Sequence, residues 1–167
     1  GIALERDIRL AEYANTPLHC SGISTSEAVD AIRTAKQMGL PITAEVNVAN
    51  LFFTDEVLNT FDSNYKVKPP FRGTTDKEVL QEALLDGTID CVVTDHSPED
   101  IESKDVEFEY AAYGMIGLET AYSVLNSALD GKLNPDHVAN ILSINPRSII
   151  GVDVPTISTG VVANFTL

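Results

Sequence analysis

The run Cys91-Val92-Val93-Thr94-Asp95-His96-Ser97-Pro98 starts apolar and ends on a carboxylate and an imidazole side by side. In alternating strand and helix architectures the carboxyl end of a strand opens into the mouth where active sites are assembled. Asp95 and His96 therefore stand where a proton could be moved or a metal held. The same pair could instead cap its own turn through side-chain oxygen, so the chemical reading has a structural rival. His19, in Leu18-His19-Cys20, lies on a second strand-like run, where a lone histidine reads first as a hydrogen-bonded core group. His137 follows a helix start and reads as exposed. Cys20 and Cys91 sit inside apolar runs and read as buried, reduced thiols rather than a disulfide or a ligand pair. Residues 99–109 carry six acids and one lysine, Lys104. That run reads as a solvated mobile loop, and its place directly after Asp95 leaves a lid or partner-docking role open.

The elements that must position these residues repeat one pattern, a short apolar run followed by a capped helix and a glycine stop. Pro17 to Cys20 leads into the capping box Ser24-Thr25-Ser26-Glu27, after which Ala28, Val29, Ile32, Ala35 and Met38 recur at helical spacing until Gly39. Residues 42–48 alternate as a strand, and Tyr65-Lys66-Val67 reads as a short weak one before Pro69-Pro70. Thr75 with Glu78 reads as a second capping box, opening a helix that Gly87 stops. Residues 89–94 form the next strand. Further helices are expected over 4–13, 116–130 and 135–142, the last with Asn134 as cap and proline at its first position.

Strands alternating with helices predict a parallel sheet with helices outside it. An eight-stranded barrel takes about 250 residues, so four strands over residues 1–150 of 167 fit half of one. An open half leaves two bare edges, so either a partner, such as a second copy in a homo-oligomer, supplies the missing strands or this chain is part of a longer one. From Gly151 the helical period disappears, and residues 151–167 read as the start of a small β element.

Composition narrows the function. The chain carries 11 basic and 25 acidic residues, a net charge of -14. That balance disfavours nucleic acid and membrane surfaces, both of which are anionic. No apolar stretch approaches the roughly 18 to 20 residues that span a bilayer, and the start lacks a basic-then-apolar signal, so a cytoplasmic location is expected.

With the strand ends placed, the chain resembles, in order and over nearly its whole length, the carboxyl-terminal half of the dihydroorotases, metal-dependent cyclic amidohydrolases with a (β/α)8 barrel. Leu18-His19-Cys20-Ser21-Gly22-Ile23-Ser24-Thr25 resembles the family's His-x-x-His-x-Ser-Thr. Thr43-Ala44-Glu45-Val46-Asn47-Val48-Ala49-Asn50-Leu51 resembles Thr-x-Glu-x-x-Pro-His-His-Leu, and Lys66-Val67-Lys68-Pro69-Pro70-Phe71-Arg72 resembles Lys-x-Asn-Pro-Pro-Leu-Arg. Asp86-Gly87-Thr88-Ile89-Asp90 with Thr94-Asp95-His96-Ser97-Pro98 is similar to Asp-Gly-x-Ile-Asp followed by Thr-Asp-His-Ala-Pro-His. Gly114-Met115-Ile116-Gly117-Leu118-Glu119-Thr120 and Asn145-Pro146-Arg147 complete the order.

The resemblance implies two zinc ions sharing a hydroxide that attacks the ring amide carbonyl. It places Asp95 at the aspartate that binds a metal and passes a proton to the leaving amide. Gly22 and Asn50 fall on metal-ligand histidines, and neither supplies an imidazole. Lys68 falls on a substrate-binding asparagine. Glu99 falls on the histidine that meets the substrate carboxylate, an anion it would repel. Tyr113 and Gly114 fall on backbone contacts to substrate, which tolerate a changed side chain. The family's first-strand His-x-His pair and carboxylated lysine belong to the amino-terminal half, so this chain alone is expected to be inactive, with zinc absent or reduced. Two functions stay open: a catalytically impaired member with a structural role beside aspartate transcarbamoylase in pyrimidine biosynthesis, or an active cyclic amidohydrolase with an altered or mononuclear metal centre.

Overall fold

Along Ile42–Asn47 the side chains alternate, with Ile42, Ala44 and Val46 buried and Thr43 and Glu45 half-buried. That period of two is what a pleated strand imposes, and it gives the central strand of the fold. A computed structural model describes residues 1–163. Its elements run α1 (Ile2–Ala14), β1 (Leu18–Cys20), α2 (Ser26–Gln37), β2 (Ile42–Asn47), α3 (Thr74–Leu85), β3 (Cys91–Val93), α4 (Ile101–Lys104), α5 (Ala121–Ala128), α6 (Pro135–Ala139) and α7 (Asn145–Ile150). Three short 3-10 turns lie between β2 and α3. The strands pair in parallel in the order β1-β2-β3, with His19 opposite Thr43, Glu45 opposite Cys91 and Asn47 opposite Val93.

Helices cover the apolar face of this sheet. Val29 and Ile32 of α2 are fully buried, as are Leu80 and Ala83 of α3 and Leu125 of α5, all packed with Ala44 and Val46. Each such aliphatic side chain contributes about 1.5–3 kcal/mol on leaving water. Polar ties then fix the layers. The Asp90 carboxylate, just before β3, accepts from Lys36 Nζ at 2.8 Å and from the Ala44 amide at 2.7 Å, locking α2 and β2 to the entry of β3. Gln81 Nε2 donates to the carbonyls of Leu51 and Ala128, joining α3 to the turn after β2 and to α5.

Several expected elements change. Tyr65-Lys66-Val67 forms no strand: Tyr65 ends a 3-10 turn, and the sheet has three strands, with β3 pairing directly on β2. The capping box expected at Thr75 and Glu78 is absent. The helix starts two residues earlier, with Gly73 as its cap, and Asp76 spends its carboxylate on the amide and hydroxyl of Ser26. The capping box expected over Ser24 to Glu27 shifts by one residue: Thr25, not Ser24, caps α2, accepting from the Ala28 amide. The helix expected over 116–130 shrinks to α5, because His96 Nδ1 captures the amides of Gly117 and Leu118. The helix expected over 135–142 runs on instead, through a π-helical turn at Asn140–Ile144, into α7. That turn brings Pro146, which has no amide to donate, into the first turn of α7. Residues 151–163 form neither helix nor strand, and the rest of the β element expected there, 164–167, lies outside the described residues. No helix among the described residues is long and apolar enough to cross a membrane.

One surface carboxyl links this packing to pH. Burial works to raise the Asp86 carboxyl, but hydrogen bonds from Thr88 and the Arg33 guanidinium outweigh it and hold the group below its ordinary 3.8. A depressed carboxyl contributes stability above its unfolded value, and that contribution disappears as pH falls through the folded value. Urea unfolding of wild type and Asp86→Asn should differ most at pH 6 and converge as pH falls below about 3.8. A gap that stays constant with pH would contradict the assignment.

Candidate active-site mouth

The odd-numbered residues of β2 face away from the helices, and each takes a polar partner from a neighbouring strand. Thr43 Oγ1 lies 2.8 Å from His19 Nδ1, and Glu45 Oε2 lies 3.1 Å from His19 Nε2. Glu45 Oε1 accepts from Ser21 Oγ at 2.6 Å. Asn47 Nδ2 donates to Asp95 Oδ2 at 2.7 Å. His19 is thus the hydrogen-bonded interior group that its strand position implies. Cys91 completes this face from β3, and burial, then the charges of Glu45 and Asp90, push its thiol up to about 11. Cys20 and Cys91 are both buried and free.

Past the strand ends the face opens into a concavity of about 430 Å³ lined by Ser21, Gly22, Glu45, Asn47, Lys68 and Asp95, with the Pro69-Pro70 turn and Val93. The structure therefore brings together Asp95, Lys68 and Gly22. Asp95 has a φ of 48°, a left-handed conformation that aspartate reaches more readily than most residues. Gly22 also lies in the left-handed region, at φ 64°, and a Cβ there would sit 3.4 Å from Pro69 Cδ. A side chain at residue 22 would carry backbone strain as well as chemistry.

Asn50 is not part of this concavity. It is buried, its Nδ2 faces the Pro70 carbonyl at 3.4 Å, its Oδ1 has no hydrogen-bond partner among the described residues, and it lines an adjoining cavity of about 280 Å³ whose walls include Asn47, Thr94 and Asp95 as well as Phe53 and Val67. Asn47 and Asp95 border both spaces, so Gly22 and Asn50 lie on either side of the same strand ends. Among the described residues, the mouth offers a cation the carboxylates of Asp95 and Glu45 but no imidazole or thiol, so its lining alone does not fit a zinc centre.

The acidic run 99–109 is not a free loop. Asp100 caps α4 by accepting from the Ser103 amide at 2.7 Å. Lys104 Nζ donates to the carbonyls of Ser63, Ala112 and Gly114 at 3.0, 2.9 and 2.6 Å. Lys66 Nζ donates to the carbonyls of Phe108 and Glu109, and lies 4.8 Å from the centroid of the Tyr113 ring. The Gly114 amide donates to the Lys66 carbonyl at 2.9 Å. Gly114 is needed for close approach, since a Cβ there would fall 2.4 Å from the Ser97 carbonyl oxygen. Both backbone polar groups of Gly114 are thus engaged within the chain, Tyr113 covers Lys66, and the exposed Glu99 lies against Gly114.

These two anchoring lysines were not singled out as anchors from the sequence. The available signal was composition, because Lys104 is the one cation in an acidic run and a lone cation there has many oxygens to satisfy. Burial lowers the Lys104 ammonium below its ordinary 10.5, with Glu99 opposing and Lys66 reinforcing that shift. Lys104→Met should accelerate cleavage by a glutamate-specific protease within 99–109 by at least about tenfold, the loosening expected from losing charge-assisted bonds, while Lys104→Arg restores part of the protection. Equal cleavage rates in wild type and Lys104→Met would show that the tether does not hold the segment.

No family model matches the chain. Among curated proteins, it is 43% identical over 168 residues to a dihydroorotase of Thermoanaerobacter sp. (strain X514), covering 99% of this chain and 39% of that protein. It is 39% identical over 169 residues to the dihydroorotase of Bacillus subtilis (strain 168), covering 100% of this chain and 40% of that one. Among solved structures, dihydropyrimidinase from Brevibacillus agri NCHU1002 superposes with a TM-score of 0.85 at 25% identity, over 95% of this chain and 37% of the other. L-hydantoinase from Arthrobacter aurescens gives 0.82 at 25% identity, over 89% and 34%. The chain spans about two fifths of the length of these curated relatives. Over nearly its whole length, the chain is homologous to the dihydroorotases.

Proposed function

We propose that this chain is the carboxyl-terminal part of a dihydroorotase-like cyclic amidohydrolase barrel that has lost ring-opening chemistry and acts as a structural partner of aspartate transcarbamoylase in pyrimidine biosynthesis. The observation that carries the reading is Gly22, a left-handed glycine in the mouth beside Asp95, where the dihydroorotase pattern has an imidazole. In that family bound zinc supplies a hydroxide near neutral pH and polarises the ring carbonyl. The residues here support less. Asp95 offers a carboxylate for holding a proton, but one of its oxygens already accepts from Asn47. Lys68 lines the mouth and attracts an anion, whereas the exposed Glu99, at the position matched to a substrate-carboxylate contact, repels one. The retained folding features, the Thr25 cap, the Asp90 lock and the lysine-anchored wall, are what selection for shape without chemistry would keep.

Two measurements on the full-length protein test this. Supplied with zinc, it should open dihydroorotate no faster than the Asp95→Asn variant. A rate that Asp95→Asn abolishes would instead support an active enzyme with an altered or mononuclear centre. At micromolar concentration it should co-elute with aspartate transcarbamoylase, and separate elution would remove the partner role.

A further inference from the structure

Earlier along each strand than the mouth residues, the same polar face gathers one ligand-type side chain from each of three adjacent strands: His19 of β1, Glu45 of β2 and Cys91 of β3. One ligating atom of each lies within 4.8 Å of the other two. His19 Nε2 and Glu45 Oε2 are 3.1 Å apart. Two ligands of a tetrahedral zinc ion, each about 2.0 Å from the metal, stand about 3.3 Å from one another, so this pair is already at ligand spacing.

The outer ends of the two side chains separate this group from an ordinary buried pair. His19 Nδ1 is held by Thr43 Oγ1, and Glu45 Oε1 by Ser21 Oγ. With those atoms committed, Nε2 and Oε2 are the ones turned toward each other. Metal sites use such outer hydrogen bonds to fix the tautomer and the aim of their ligands. The donor set also selects. A thiol with an imidazole and one carboxylate suits a borderline cation, whereas magnesium and calcium require mostly oxygen. Glu45 and Ser21 line the concavity, which gives an ion an entry path and leaves a fourth position to water.

We propose that His19, Glu45 and Cys91 form a binding site for one zinc-class divalent cation that clamps the three strands. On binding, the Cys91 S–H bond breaks and a sulfur–metal bond forms, with the proton released to solvent. The proton shared by His19 Nε2 and Glu45 Oε2 is relocated to Nδ1, where Thr43 Oγ1 accepts it, so that hydrogen bond gives way to two bonds to the metal and the Cys91 sulfur closes on the other two ligands. The site is independent of whether ring opening survives, because neither Asp95 nor Gly22 contributes to it.

The test uses the full-length protein, stripped by chelator and titrated with cobalt. The expected result is a near-ultraviolet sulfur-to-cobalt charge-transfer band, lost in Cys91→Ala, weakened at least tenfold in apparent affinity in His19→Gln, and kept in Asp95→Asn. As a check that needs no variant, cobalt should protect Cys91 of the wild type from alkylation in urea below the unfolding midpoint, while Cys20 reacts at an unchanged rate. Absence of the band, a band that survives Cys91→Ala, or cobalt binding abolished by Asp95→Asn would each overturn the proposal.

Discussion

The rest of the molecule depends on the alternation along β2. Its even-numbered side chains are apolar and close the helical core, while its odd-numbered ones are polar and find partners on β1 and at the end of β3. A register slip of one residue would drive Thr43, Glu45 and Asn47 into the helices and expose Ile42, Ala44 and Val46. Each unpaired polar group would then cost about 1–3 kcal/mol, so the register is held from both faces at once. Parallel pairing adds the depth. Because the strands run the same way, the residues that follow β1, β2 and β3 all emerge at one end, and Gly22, Asn47 and Asp95 meet there.

Above that end the wall is built by a different principle. Residues 61–67 and 99–114 contain no strand, so their carbonyls have no ladder to satisfy them. Two ammonium groups take five of those carbonyls between them. An ammonium offers three donors and no fixed plane, which suits carbonyls converging from several directions better than the planar fork of arginine. The cost is burial of charge, visible in the lowered Lys104 ammonium. The return is that Tyr113 and Gly114 are set against Ser97 by the same contacts that hold the wall.

Much of this was legible in the sequence where one local rule decides the outcome. Apolar alternation found β2, the run Ser24 to Glu27 found the start of α2 to within one residue, and the apolar run before Asp95 found β3. The collinear order of motifs identified the relatives. What failed involved competition from elsewhere in the fold. Thr75 was a plausible cap, but Asp76 was drawn to Ser26, fifty residues away. Tyr65 to Val67 had strand-like residues, but β2 offered its edge to β3 instead. Residues 116–120 carry helical spacing, yet His96 takes their amides. The acidic run looked solvated because its single lysine gave no sign that it pointed inward.

The contrast between Asp95 and Gly22 follows from what each position demands of the backbone. Both adopt left-handed conformations, and both sit in the same concavity. Aspartate tolerates that conformation because its short polar side chain finds local or near partners, and here the Asn47 amide provides one. The carboxylate is therefore satisfied by the chain itself, with its charge facing solvent and its fold role intact. Glycine at residue 22 is the least strained solution for its φ, so selection on folding alone favours keeping it. An imidazole there would be favoured only if a bound cation repaid the strain, and the concavity offers that cation no second imidazole. The two positions thus answer to different constraints: the aspartate is held by an amide bond whether or not a cation is present, whereas residue 22 is set by its φ.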